Sequence, residues 1–378
     1  MDHRRRQRAV RNVLAERGID LAMFGSGPNL QYLTGETVDW RRFADLNRPL
    51  TTLFVPATGE PVLLTGPFTR SPSDPPCELR SIDLFEDGPA AVTAVLEAFD
   101  TVPESIAIGP YADAPVVLTV NDLYPNATTT TAGDLLGGSR TTKTDEEVDR
   151  LREVASLTDD VMRDVIDGIT AGDTMRDVEL AIETAGREHG ATDISFPPTA
   201  GFCKPGKGTT DEVYNYDPDE GIEPGTSIAF DVGMVHDGYC SDWGRSAFFG
   251  EPPREVAEAY DALMTAVTET IDAIGDEVTR TNEVFPHIER VCEREGYVEH
   301  LHNRHPNGIV GHQIGVEVHE DPWLHPDTDA PLVDGMVFCI EPKLWNDGEY
   351  YLRVEDMVHI SDGTAESLTR YDRDAFVV

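Results

Sequence analysis

Ile228-Ala229-Phe230-Asp231-Val232-Gly233 places an acid in the middle of an apolar, strand-like run. Five residues on, Tyr239-Cys240-Ser241-Asp242 repeats the pattern, and Asp237-Gly238 between them is the sequence of a tight hairpin turn. Folded that way, Asp231 and Asp242 stand on adjacent strands, nearly opposite each other, where like charges destabilise the pair. The arrangement recurs downstream. Val337-Phe338-Cys339-Ile340-Glu341 runs to a turn at Asn346-Asp347-Gly348 and returns as Tyr351-Leu352-Arg353-Val354-Glu355. Glu341 and Glu355 are equidistant from Gly348, so they too face each other. Burying one uncompensated carboxylate costs several kcal/mol. The bland alternative puts all four acids on the solvent side of their strands, but two such pairs inside apolar runs argue against it. Arg245 and Arg353 are the local counter-ions, and two arginines are too few for four acids. Something else cationic is required.

A nitrogen donor lies between the two pairs. In Gly311-His312-Gln313-Ile314-Gly315-Val316-Glu317-Val318-His319-Glu320-Asp321-Pro322, two histidines occupy one short, Gly-rich, strand-like segment. A lone histidine beside glycines reads as loop chemistry. One imidazole with four carboxylates, two of them able to bridge, is instead the inventory of a two-metal hydrolytic site. Hard oxygen donors with one imidazole suit manganese(II), iron(II), cobalt(II) or zinc(II).

The remaining composition bounds the setting. The chain has 378 residues, of which 39% are hydrophobic, enough for roughly two domains with a sizeable core. No apolar run reaches the ~18 residues a membrane span needs, and the basic start Met1-Asp2-His3-Arg4-Arg5-Arg6-Gln7-Arg8 lacks the apolar stretch of a signal peptide. A cytoplasmic protein is expected. Five scattered cysteines with no CxxC pair (Cys77, Cys203, Cys240, Cys292, Cys339) read as reduced thiols. Seventy acids against 30 bases give a net charge of −40. Such a field repels nucleic acid and anionic membranes, so neither is expected as a partner. The acids are spread along the whole chain, which fits a salt-rich cytosol where ions screen self-repulsion.

Residues 1–140 read as a small α/β domain. An opening helix ends near Gly18; strands are expected at Leu21–Phe24, Thr52–Val55, Val62–Leu64 and Ser105–Ile108, with a helix from Ala90 to Phe99. Gly137–Thr142 reads as a linker. Residues 144–378 form the second, α+β domain. Thr144 and Glu147 sit at capping-box spacing ahead of a long helical period, Val148 to Ile169. Further helices are expected near Asp173 and after Pro252-Pro253, and the rest of this half reads as strands and turns.

The ordered set Asp231, Asp242, His312, Glu341, Glu355 resembles the ligand set of the M24 metallopeptidases, which comprise methionine aminopeptidase, aminopeptidase P and prolidase. Asp231-Val232-Gly233, Gly238-Tyr239-Cys240-Ser241-Asp242, Gly311-His312-Gln313-Ile314-Gly315 and Val354-Glu355-Asp356 are similar to that family's motifs. Asn29-Leu30-Gln31-Tyr32-Leu33-Thr34-Gly35 resembles the creatinase/prolidase N-terminal domain. The resemblance implies a pita-bread catalytic domain and two divalent metal ions, with manganese expected first. Asp231 would be a terminal ligand of one metal, Asp242 and Glu355 would bridge, and His312 and Glu341 would complete the second. It also implies a metal-bridging hydroxide as nucleophile, Glu341 as proton shuttle, His319 at the substrate or tetrahedral intermediate, and Arg353 as anchor of the carboxylates. The substrate implied is a short peptide cut next to proline, and the assembly a homodimer.

Two positions depart from the peptidase pattern. Where it has a histidine before the first aspartate ligand, this chain has Asp211-Glu212-Val213-Tyr214-Asn215-Tyr216-Asp217-Pro218. Gly308 stands four residues before His312, where prolidase-like members carry histidine; the nearby His305 reads as an ordinary loop residue rather than its substitute. Two alternatives therefore stay open: a small non-peptide C–N substrate, as in creatinase-like or ectoine hydrolase-like relatives or a dimethylsulfoniopropionate lyase-like enzyme, and a binding module without catalysis.

Overall fold

The computed structural model describes residues 1–36, 51–66, 75–83, 86–208, 214–302, 308–371 and 376–377. They divide into two compact units, Met1–Arg140 and Thr141–Val378.

The first unit is α/β. In chain order it contains α1 (His3–Arg17), β1 (Leu21–Gly25), α2 (Pro28–Thr34), β2 (Thr52–Pro56), β3 (Val62–Thr65), β4 (Glu78–Ser81), α3 (Gly88–Glu97), β5 (Ser105–Ile108), α4 (Ala114–Leu123) and β6 (Thr128–Thr131). The strands form one mixed sheet, ordered β4-β3-β2-β1-β5-β6. Its central strands are buried on both faces, which is why they read as continuous apolar runs rather than alternating ones. Val92, Val95 and Leu96 of α3 and Val116 and Val120 of α4 pack on Met23, Phe54 and Ile106. The expected strands and helix are all present. Gly137-Gly138-Ser139-Arg140-Thr141, expected as a linker, is instead one helical turn, α5 (Gly137–Thr141). Its first turn closes because Leu136 O accepts from the amides of both Ser139 and Arg140.

The second unit opens with α6 (Asp145–Gly168), entered through the expected capping box: the Thr144 amide donates to Glu147 Oε2 at 3.0 Å. There follow α7 (Met175–Glu188), β7 (Asp193–Ile194), β8 (Thr199–Cys203), β9 (Thr226–Val232), β10 (Met234–His236), β11 (Tyr239–Cys240), β12 (Trp243–Phe249) and α8 (Arg254–Ala273). Then come α9 (Thr281–Glu295), β13 (Leu301–His302), β14 (Gly311–Gln313), β15 (Glu320–Trp323), β16 (Val337–Ile340), β17 (Lys343–Asn346), β18 (Tyr350–Arg353), β19 (Asp356–Ser361), β20 (Thr364–Ser367) and β21 (Phe376–Val377).

Helix α9 corrects the expectation that this half beyond α8 is all strands and turns. Pro286 inside it reads as a breaker, yet Val284, Ile288, Val291 and Cys292 fall at helical spacing and bury completely or nearly so against α8. Burial of that stripe, at about 1.5–3 kcal/mol per large apolar side chain, outweighs one missing backbone donor.

The unit is built twice over in plan. Helices α6 and α7 back the sheet β21-β12-β9-β8, and α8 and α9 back β15-β14-β16-β19-β20, each through its own apolar cluster. The two sheets meet where Glu355 N donates to Gly244 O at 2.8 Å. The acids singled out in the sequence stand around that seam.

Candidate metal centre

The first hairpin is set by its turn. Asp237 (φ 48°) and Gly238 (φ 83°) both take left-handed backbone, the two-residue loop that matches strand twist. His236 therefore pairs with Tyr239, and the same register runs on to Val232 with Trp243. This corrects the expected pairing by two residues. Asp231 faces Gly244 rather than Asp242, so the two acids lie diagonally across the ladder, where long side chains still meet. In the second hairpin Lys343 pairs with Arg353, and Ile340 of β16 with Asp356 of β19. Both registers place Glu341 opposite Glu355, as expected from their spacing about Gly348.

Gly244 has a separate reason to be glycine. A Cβ there would lie 2.6 Å from Arg353 Nε, so only a bare backbone lets Arg353 lie across β12. From that position Arg353 donates to Asp231 Oδ2, to Glu355 Oε2 at 2.6 Å and to Glu341 Oε2 at 3.0 Å. Lys343 Nζ donates to the same Glu341 oxygen at 2.7 Å. Arg245 is buried elsewhere in the seam, paired with Asp356 and with the Glu355 and Gly244 carbonyls. Lys343 is thus a second counter-ion. Among the described residues, four carboxylates meet the two cationic side chains of Arg353 and Lys343 beside His312.

His312 decides what else can neutralise the carboxylates. Its ring is fully buried on β14, and Nδ1 lies 3.0 Å from the Gln313 carbonyl. A carbonyl only accepts, so Nδ1 is the donor, and in the neutral ring Nε2 presents a lone pair. That lone pair points at Asp242 Oδ2 (3.5 Å) and Glu341 Oε1 (3.6 Å), too far for hydrogen bonds. Two donors held about 2.1 Å from one ion stand at such separations. Nε2 has no hydrogen-bond partner, and neither does Glu355 Oε1, although both are buried. Buried polar atoms left so are costly. Ligand atoms of Asp242, His312, Glu355 and Cys339 all lie within 4.8 Å of one another. Burial, then the facing Asp242 carboxylate, pushes Glu355 up to about 8, with Arg353 opposing. Burial and the neighbouring Asp242, Glu355 and Glu341 also hold the Cys339 thiol well above its ordinary value. A divalent cation at this spot reverses both penalties, and the donors fit one.

His319 leaves the strand: β14 ends at Gln313, and His319 sits in the turn before β15, not within one continuous segment with His312. The two rings still meet edge to face, 4.4 Å between centroids, and His319 stacks on Trp323 at 5.3 Å. Trp323 pairs with His312 across β14 and β15 and walls this side of the cluster. Asp231, its side chain 22% exposed where the other acids are nearly sealed, stands on the open side. Tyr214, in the stretch without histidine, meets Tyr351 edge to face at 5.5 Å, and burial pushes its phenol up. Asn215 turns the other way and binds the backbone of Lys204 and Gly208. Gly308 lies beside Phe285 and Pro326; residues 211–213 and His305 fall outside the described residues.

The sequence missed Trp323, Lys343 and Cys339. Lys343 was recoverable, because the spacing about Gly348 that pairs Glu341 with Glu355 also pairs Lys343 with Arg353. Cys339, two residues before Glu341 on one strand, shares its face.

Residues 149–362 match the model of metallopeptidase family M24. The chain belongs to that family. It is 28% identical to the probable dipeptidase PepE of Mycobacterium tuberculosis over 96% of this chain and 93% of that protein. The crystal structure of a prolidase from Thermococcus sibiricus superposes with a TM-score of 0.81 at 25% identity, covering all of both chains. That of a dipeptidase from Pyrococcus horikoshii gives 0.82 at 25% identity, over 99% of this chain and all of the other. The M24 chain is a metal-dependent hydrolase, with an α/β N-terminal region and a pita-bread C-terminal domain.

Proposed function

We propose that this M24 hydrolase is a dipeptidase of the prolidase type, cleaving the amide bond that precedes proline in short peptides at a centre of two divalent cations. The observation that carries the reading is His312 Nε2, buried without a hydrogen-bond partner and facing two carboxylate oxygens at 3.5 and 3.6 Å. The names of the similar proteins, dipeptidases and a prolidase, support the substrate class.

Asp231, Asp242, His312, Glu341 and Glu355 would hold the cations. When bound, such ions polarise the scissile carbonyl and lower the pKa of water. The protein's own groups do the rest. Glu341 has one oxygen anchored by Lys343 and Arg353 and the other turned to the cluster, so it takes the proton of the attacking water and passes it to the leaving amine. His319, braced by Trp323, donates to the carbonyl oxygen as it gains charge. Arg353 positions three carboxylates at once. The oxygen-rich set accommodates manganese, iron(II), cobalt or zinc. A cytoplasmic homodimer in a salt-rich cell is part of the same reading.

The test is a substrate panel on protein loaded with manganese, cobalt or zinc, at low and molar KCl. Turnover of Xaa-Pro dipeptides well above matched dipeptides without proline is expected. Hydrolysis of non-proline dipeptides alone would remove the proline preference, and activity confined to small non-peptide amides would replace the reading.

A further inference from the structure

Cys339 lies on β16 between His312 of β14 and Met357 of β19, its Cα partners in the neighbouring strands. Paired residues of adjacent strands share a face, and so do residues two apart on one strand. Cys339 therefore projects to the same side as His312, Glu341 and Glu355. It is fully buried, and its Sγ falls inside the 4.8 Å cluster formed with donor atoms of Asp242, His312 and Glu355. Two of those donors, His312 Nε2 and Glu355 Oε1, are buried without hydrogen-bond partners. The thiol thus occupies the wall of a cavity already shaped by atoms that want a cation. Donors of a shared ion stand no more than about 4.5 Å apart, so a small side-chain adjustment brings sulfur within reach.

We propose that Cys339 Sγ is a donor to the metal held by His312, Asp242 and Glu355, and that the centre consequently selects thiophilic divalent ions, zinc or cobalt, over manganese. The inference rests on the reading of this cluster as a metal centre. Carboxylate and imidazole alone discriminate weakly among these ions, whereas a sulfur donor is soft and favours the later ones. On binding, the metal–sulfur bond forms, the thiol proton passes to solvent, and no electron is transferred.

The experiment uses the full-length chain stripped of metal and titrated with cobalt(II), with bound cobalt measured alongside the absorption spectrum. The expected result is visible ligand-field bands together with a sulfur-to-cobalt charge-transfer band in the near ultraviolet. In Cys339→Ser the charge-transfer band disappears while cobalt and the visible bands remain. In Cys292→Ser, whose thiol lies in the α8–α9 core, the band persists. Competition between zinc and manganese should shift toward manganese in Cys339→Ser by at least the roughly tenfold that losing even an outer partner of a ligand costs. Wild-type protein that binds cobalt with ligand-field bands but no sulfur band overturns the inference, whatever the variants do, and leaves the metal centre standing. A band that survives in Cys339→Ser overturns it as well. Failure to bind cobalt at all overturns the metal centre and this inference together.

Discussion

Arg353 is held by three carboxylates and lies over a glycine, so the seam tolerates little at either position. Gly244→Ala places a methyl 2.6 Å from Arg353 Nε, and a guanidinium fixed by Asp231, Glu341 and Glu355 has nowhere to retreat. Overpacking of this kind costs about 1–3 kcal/mol. A denaturant titration should show that loss, accompanied by weaker metal affinity as Arg353 is displaced; an unchanged midpoint would contradict the close approach. Glu341→Gln keeps size and removes the base. Turnover should fall by about 10²–10⁴-fold with the circular dichroism spectrum unchanged, and activity within a few fold of wild type would rule out a proton-shuttling role. The residues of this cluster were readable because carboxylates in apolar runs are costly and therefore informative. Trp323 was not, since nothing local distinguishes an aromatic that braces a histidine from one that fills a core.

At the scale of elements, the turn that carries His319 is pinned from behind. Lys143, at the entrance to α6, donates to Gln313 Oε1 at 2.6 Å and pairs with Glu320 Oε2 at 3.3 Å, both side chains almost wholly buried. Glu320 in turn accepts from the Glu317 amide. Removing one member of a buried pair costs about 3–5 kcal/mol. Lys143→Met should lower stability by that order in urea unfolding, and a near-neutral effect would show that the pair does not hold the turn. Asp159 on α6 ties that helix to β12 and to the chain near Arg370, accepting from Trp243 Nε1 and the Arg370 amide. Burial pushes it up to about 6 despite those hydrogen bonds and the nearby Arg245. The folded state therefore holds this proton more tightly than the unfolded chain. The favourable contribution is complete below about pH 4 and is lost as pH rises through about 6, a span of about 3 kcal/mol. Wild type minus Asp159→Asn stability, measured from pH 4 to 7, should decline over that window; a flat difference would contradict the assignment. Elements with a local device, such as the Thr144 capping box and the Asp237-Gly238 turn, were legible in the sequence. Helix α9 was not, because Pro286 masks a stripe whose worth lies in packing against α8. The diagonal offset of Asp231 and Asp242 escaped because hairpin register depends on which two residues make the turn.

Across the whole molecule, the two-unit plan and the charge were legible from composition, whereas the joining of two separate sheets at Gly244 and Glu355 needed contacts between residues more than a hundred positions apart. The charge of −40 loads the folded chain with self-repulsion. Screening shortens from about 10 Å at 0.1 M salt to about 3 Å at 1 M, so melting temperature should rise markedly between low and molar KCl. Equal values at both would remove the case for a salt-adapted protein. Whether three buried acids, the half-buried Asp231 and one imidazole gather around divalent cations is decided by anomalous diffraction from a crystal soaked in manganese or cobalt. Scattering density is expected among Asp242, His312 and Glu355, within bonding distance of His312 Nε2. A metal centre here is contradicted if that position shows none while Arg353 and Lys343 still satisfy the carboxylates by themselves.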